Sequence, residues 1–197
     1  IGGDSGGEGL LVGPALELPK QAGHTQPTLK DQAIGVGIDP GLNYTGVVWV
    51  AFDNDNQALV FDEAKPEQMV VSEVAELIHA RNKQLWIEPD YYVIDPSARN
   101  RATVNAEAVE SAYLRAGIPT SHGQNDRAAG ILEVKRRLQH AGLFVGDNCP
   151  ALASEFRRYR KDPNSKDEFA AVKKDDHLLD ALRYVVMERS WESSAPP

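Results

Sequence analysis

At 197 residues, with 42% hydrophobic and 25% charged residues, the chain has ordinary globular composition and enough length to bury its own core. Its formal net charge of -8 argues against a passive nucleic-acid coat, and no apolar run approaches the roughly 20 residues that span a bilayer. The single Cys149 excludes an internal disulfide and points to a reducing, intracellular setting.

Residues 1–33 are rich in Gly and Pro, from Gly2 and Gly3 to Pro14, Pro19 and Pro27, and read as a linker or loosely docked arm. They lack the basic start of a signal peptide, and the whole reads as a piece of something longer. A folded domain is expected over 34–191, with 192–197 as a tail. The apolar runs 34–39 and 46–52 flank the turn Pro40-Gly41-Leu42-Asn43, which predicts a hairpin, and Ala58 to Glu63 predicts a third strand. The stripe Met69, Val70, Val74, Leu77 and Ile78 predicts a helix over 66–82 starting at Pro66. Trp86-Ile87 and Tyr91 to Ile94 read as a strand region ending at Asp95-Pro96, with Trp49 and Trp86 assigned to the core.

Further along, a helix is expected over 103–116, an extended piece at Ile118 to Thr120, a helix over 126–141 and a strand at Leu143 to Val145. A helix over 150–160, a polar loop over 161–168 and a final helix over about 175–190 complete the chain. The order βββαβαβαβαα predicts an α/β domain: a mixed sheet, antiparallel hairpin strands first and parallel strands after, flanked by helices.

Asp39 closes an apolar strand just before Pro40 and Gly41, and Asp95 closes another before Pro96. Each could simply start a turn. Adjacent strand ends, however, bring two such carboxylates to one edge of a sheet. In the last helix Asp176, His177 and Asp180 are spaced to share a face. Capping explains Asp175 or Asp176 but not Asp180, a second-turn acid between Leu179 and Ala181. Converging carboxylates repel unless a cation compensates, and oxygen ligands suit Mg²⁺ or Mn²⁺. Two such ions, about 4 Å apart, are the standard device for in-line phosphodiester hydrolysis.

The stretches GIDPGLNYTG (37–46), VIDPSARN (93–100) and DDHLLDALRY (175–184) resemble the nuclease domain of large terminase subunits from tailed phages, a group with a ribonuclease-H-like fold. The resemblance runs from about residue 34 to 190. It implies a metal-dependent endonuclease that cuts double-stranded viral DNA during packaging, in the cytoplasm of an infected bacterial host. Asp39, Asp95 and Asp180 would bind two ions, with His177 as a companion catalytic residue and Asp176 as an extra or alternative ligand. It also implies an upstream ATPase domain, a portal protein and a small terminase subunit as partners, and no membrane. The chain itself holds no G-x-x-x-x-G-K-[ST] loop.

Basic residues gather near the acids: Arg99 and Arg101 after Asp95, Arg157, Arg158, Arg160 and Lys161 before the polar loop, and Lys173 and Lys174 before Asp175. They are candidate contacts to a DNA backbone, with a solvated helix face as the plainer reading. His24, His79, His122 and His140 read as surface or capping residues, and Cys149 lacks a base that would make it a nucleophile. Three rivals stay open. A Holliday-junction resolvase of the same fold would need another acid on the first helix, for which Glu73 or Glu76 could serve. An actin-like nucleotide-binding module would need a second phosphate loop. A docking module would use the acids structurally.

Overall fold

A computed structural model describes residue 29 and residues 32–99, 108–159 and 176–189. Among them the strands are β1 (Ala33–Pro40), β2 (Thr45–Phe52), β3 (Ala58–Ala64), β4 (Tyr91–Ile94), β5 (Thr120–His122) and β6 (Leu143–Val145). The α-helices are α1 (Val71–Leu85), α2 (Val109–Arg115), α3 (Arg127–Gln139), α4 (Pro150–Arg158) and α5 (His177–Met187), and a 3₁₀ turn spans Pro96–Arg99.

The strands form one sheet in the order β5-β4-β1-β2-β3-β6. The β1–β2 and β2–β3 pairs are antiparallel, while β4 on β1, β5 on β4 and β6 on β3 are parallel. This mixed sheet flanked by helices is the α/β arrangement that the element order predicts and the ribonuclease-H-like fold that the resemblance implies. No helix of the described residues is long and apolar enough to cross a membrane.

Strand periodicity divides the core in two. Val36 and Ile38 of β1 and Val47 and Trp49 of β2 face α1 and α2, with Val74, Ile78 and Tyr113. Val48, Val50 and Phe52 face the other way, against Ile131 of α3, Leu152 and Phe156 of α4, and Leu178, Leu182 and Val185 of α5. On this second face β1 presents Gly35, Gly37 and Asp39 by the same alternation.

Those glycines bring the backbone of α5 onto the strand. A Cβ on Gly37 would collide with the Ala181 carbonyl, and one on Gly35 with Val185 and Tyr91 side chains. Gly46, opposite Asp39 in the β1–β2 register, would likewise strike the His177 carbonyl.

Several boundaries differ from expectation. α1 begins at Val71, not Pro66, because the preceding residues join the hairpin turn: Tyr44 bridges Glu67 and the Gln68 N–H donates to the Asn43 carbonyl at 2.8 Å. Met69 and Val70 are consequently exposed. Trp86 is no core residue. It is 94% exposed at the left-handed C-cap of α1 (φ 55°), and Ile87 packs inward instead. The extended piece at 118–120 shifts to β5, since Ile118 is fully buried after Gly117 (φ 82°) turns the chain. Residues 100–107, within the helix expected over 103–116, and the loop over 161–168 lie outside the described residues, as do the arm at 1–28 and Trp191.

Overpacking of a tight backbone contact typically costs about 1–3 kcal/mol. Gly37→Ala should therefore lower the melting temperature by several degrees, since the carbonyl it meets belongs to a helix backbone that cannot rotate away. An unchanged thermal melt would place α5 farther from β1.

Candidate metal centre

β1 and β4 run parallel with Ile38 beside Ile94, so their carboxyl ends reach the same sheet edge. The Asp95 N–H donates to the Ile38 carbonyl at 3.1 Å, which stitches the residue after β4 to the residue before Asp39. By alternation Asp39 and Asp95 share the face on which α5 lies. Pro40 and Gly41 end the ladder, and the gap beside Gly41 is filled by the His177 ring.

Asp39 is 8% exposed, and one of its oxygens, Oδ2, lies 2.7 Å from His177 Nδ1. That hydrogen bond raises the proton affinity of His177 above the ordinary histidine range, against the effect of burial. Asp95 holds the 3₁₀ turn: Oδ1 accepts from the Ser97 N–H at 2.8 Å and Oδ2 from the Ser97 hydroxyl at 2.6 Å. The turn-starting role expected for such an Asp is therefore real, and it coexists with a place beside Asp39.

Asp180 stands one turn beyond His177 and accepts from Arg183 Nε at 3.2 Å. Burial raises its proton affinity, and the charges of Asp39 and Asp176 push the same way against Arg183 and Arg127. Asp95, Asp180 and Asp39 all act on the Tyr184 hydroxyl, whose own proton affinity is raised chiefly by burial. The three acids thus occupy one electrostatic neighbourhood. Asp176 takes the N-cap position of α5 without capping it; its carboxylate accepts from Arg127 Nη2 at 3.0 Å.

The donor chemistry at this half-buried edge, carboxylates of which one is already penalised by burial, suits a hard divalent cation. The carboxylates are meanwhile engaged with protein donors, and among the described residues no three His, Cys, Asp or Glu gather around a single point.

Residues that spacing did not mark as part of the site also shape it. Arg127, the first residue of α3, stays charged although burial opposes it, because Asp180, Tyr159 and Asp176 favour its cation. Arg183 lies over the Tyr184 ring, 4.3 Å from its centroid, in a slot that a Cβ on Gly130 would fill. The buried Glu155 and its partner Lys65 hold the start of α5. Of the expected basic contacts, Arg157 and Arg158 are exposed at the end of α4. They adjoin Tyr159, whose hydroxyl is 3.5 Å from Arg127 Nη2. Arg101, Arg160, Lys161, Lys173 and Lys174 lie outside the described residues, as does the side chain of Arg99. Cys149 is buried with its thiol pushed up to about 12, in keeping with an inert side chain.

A mixed sheet with an antiparallel trio of strands at its centre, parallel strands on either side and helices on both faces is a ribonuclease-H-like fold. Solved structures share that fold. The nuclease domain of the P22 large terminase aligns at a TM-score of 0.68, with 19% identity over 84% of this chain and 84% of that one. The large terminase of a thermophilic bacteriophage aligns at 0.67 with 23% identity, covering 78% of this chain. The large terminase nuclease domain of bacteriophage SPP1 with bound Mn aligns at 0.60 with 19% identity, over 82% and 89% of the two chains. In the thermophilic phage's large terminase the aligned part is 38% of the chain's length. No family model matches the sequence, and the curated proteins returned no match.

The raised proton affinities set the pH behaviour without metal. His177 binds its proton more tightly when folded, so its contribution to stability is complete below its unfolded pKa of about 6.5 and disappears as pH rises through the higher folded value. In EDTA, His177→Gln should lower the melting temperature more at pH 6 than at pH 8.5. Asp180 has the opposite consequence at neutral pH, where the native state carries a penalised carboxylate. Asp180→Asn should melt no lower than wild type in EDTA, and added Mn²⁺ should raise the melting temperature of wild type more than that of the variant. Scanning fluorimetry at both pH values, with and without Mn²⁺, checks both statements. Equal His177→Gln losses at the two pH values would dissociate its proton from folding.

Proposed function

We propose that this domain is a divalent-metal-dependent endonuclease that cuts double-stranded DNA, with little sequence preference, during viral genome packaging. The observation that supports this reading is that Asp39 and Asp95 close adjoining parallel strands, with Asp180 on the helix packed across them, in a fold shared with large terminase nuclease domains. A Mn-bound neighbour supports divalent-metal chemistry. Bound among these acids, a pair of Mg²⁺ or Mn²⁺ ions would supply Lewis acidity for phosphodiester hydrolysis.

The chain's own residues would do the rest. His177 orients Asp39 through its Nδ1 contact and can hold a proton there near neutral pH. Arg183 orients Asp180 and Arg127 orients Asp176, the extra or alternative ligand. Arg157 and Arg158, with Arg99, Arg101, Arg160, Lys161, Lys173 and Lys174, would meet the DNA backbone. In the working motor the partners would be an upstream ATPase domain, a portal protein and a small terminase subunit, in the cytoplasm of the infected host.

Glu73, one acid that a resolvase reading would recruit, is spent elsewhere. Its carboxylate accepts from the Val70 N–H at 2.9 Å, at the start of a helix packed on the face opposite α5. Glu76, the other candidate, is exposed on the same helix, and on this reading the linear duplex is the favoured substrate.

Incubating the domain with supercoiled plasmid should give nicked and linear products in Mn²⁺ or Mg²⁺ and none in EDTA. Asp39→Asn, Asp95→Asn and Asp180→Asn should each abolish cutting in a folded protein. His177→Ala should slow it without abolishing it, more in Mg²⁺, which demands near-ideal geometry, than in Mn²⁺. Plasmid left intact at high protein and Mn²⁺ would defeat the proposal, and exclusive cutting of four-way junctions would turn it to a resolvase. Separately, replacing Arg157 and Arg158 by Ala should weaken binding to all duplexes equally and reduce the salt slope by about 2. Weakening confined to one sequence in a fluorescence-anisotropy titration would mean base readout.

A further inference from the structure

The start of α5 is held by a carboxylate from another helix. Asp176 is turned to Arg127, so the first-turn donors of α5 need another acceptor. Glu155 of α4 provides it: Oε2 accepts from the Leu178 N–H at 2.9 Å and the Leu179 N–H at 3.0 Å. Its other oxygen, Oε1, accepts from Lys65 Nζ at 2.5 Å. The Glu155 side chain is 1% exposed and that of Lys65 19%.

Glu155 is itself seated from the sheet. Glu63 of β3 accepts from the Ala151 and Leu152 N–H groups at 2.7 Å each, filling the cap that Cys149 cannot provide. Lys65 follows β3 directly, and its ammonium stands over the Tyr44 ring, 5.5 Å from the centroid. The end of β3 therefore fixes α4 through Glu63, and grips the group by which α4 fixes α5.

A buried ion pair is a weak source of net stability, because desolvation consumes most of the attraction. Its effect here is on position. The two amides that Glu155 holds belong to the residues between His177 and Asp180, so the pair sets the height and rotation of the turn that presents both side chains to Asp39.

We propose that Glu155 and Lys65 are positioning residues for the metal centre, which they serve by clamping the first turn of α5. The metal part of this inference rests on the nuclease reading above; the clamp does not. Supporting groups around metal ligands typically change metal affinity by about 10- to 100-fold when removed. Breaking a buried pair from one side leaves an uncompensated charge, whereas neutralising both sides is far milder. The variants should consequently be ordered in a way that simple packing loss would not produce.

The test compares wild type, Glu155→Gln, Lys65→Met, the double variant and Lys65→Arg. Two quantities are read: the Mn²⁺ concentration for half-maximal plasmid cutting, and hydrogen exchange in peptides from α5 and β1. Lys65→Met should raise the Mn²⁺ requirement about tenfold and speed exchange at the start of α5 but not in β1. Glu155→Gln, with one acceptor oxygen left, should do the same to a lesser degree. The double variant should return to within about threefold of wild type, and Lys65→Arg should remain near it.

The proposal is overturned if both single variants keep the wild-type Mn²⁺ requirement, or if β1 exchange rises in step with α5, which marks global destabilisation. It is also overturned if the double variant is the worst of the set. Should wild type neither cut DNA nor respond to Mn²⁺, the nuclease reading fails by itself. Exchange at α5 would then still decide whether Glu155 and Lys65 clamp it.

Discussion

The contact on which the remaining geometry depends is the backbone of α5 against the glycine face of the β1–β2 hairpin. Four residues of α-helix advance about 6 Å, and two residues of strand nearly 7 Å. Steps of four along α5 therefore keep pace with steps of two along β1. Val185 meets Gly35, Ala181 meets Gly37, and the next step delivers His177 to Asp39. The strand loses its side chains where the helix must approach and regains one, a carboxylate, where the approach ends. Asp39 is thereby placed by a packing rule before any electrostatic preference operates.

Electrostatics work against Asp180, on the same helix. Burial and the charges of Asp39 and Asp176 raise the proton affinity of Asp180. Protein partners offset part of it: Arg183 and Arg127 act on Asp180, and His177 hydrogen-bonds with Asp39. Each acid belongs to two structures at once. Asp95 shows this plainly, holding a 3₁₀ turn through Ser97 while standing beside the strand that ends in Asp39.

The element order, the mixed sheet and the placing of Asp39 and Asp95 at strand ends were legible because they rest on local signals. An apolar β-branched run followed by Asp-Pro is readable in isolation, and so is an acid in the second turn of an apolar helix. Gly35 and Gly37 passed unremarked within a strand run, since their value lies in a helix far along the chain, at Val185 and Ala181. Trp86 misled because hydrophobicity says nothing of whether a residue falls at a helix C-cap. Residues 66–70 carried a helical pattern that pairing with the hairpin turn overrode. Glu155 was not visible at all. In a short helix dense with charge it looks like a solvated acid, and only the tertiary fold turns it inward to the amides of α5.

The charge balance follows from the same arrangement. A net charge of -8 repels DNA at long range, yet such repulsion is screened within about 8–10 Å at physiological salt. What decides an encounter is the local charge close to the acid edge. Arg157 and Arg158 end the helix whose Glu155 seats α5, and Tyr159 beside them reaches toward Arg127 and so toward Asp176. On the proposed reading, phosphate contacts at the end of α4 and acid presentation at the start of α5 belong to one packed unit of two helices. A displacement of α4 would then disturb the acids as well as the grip on DNA, so this part of the domain gains little from flexibility.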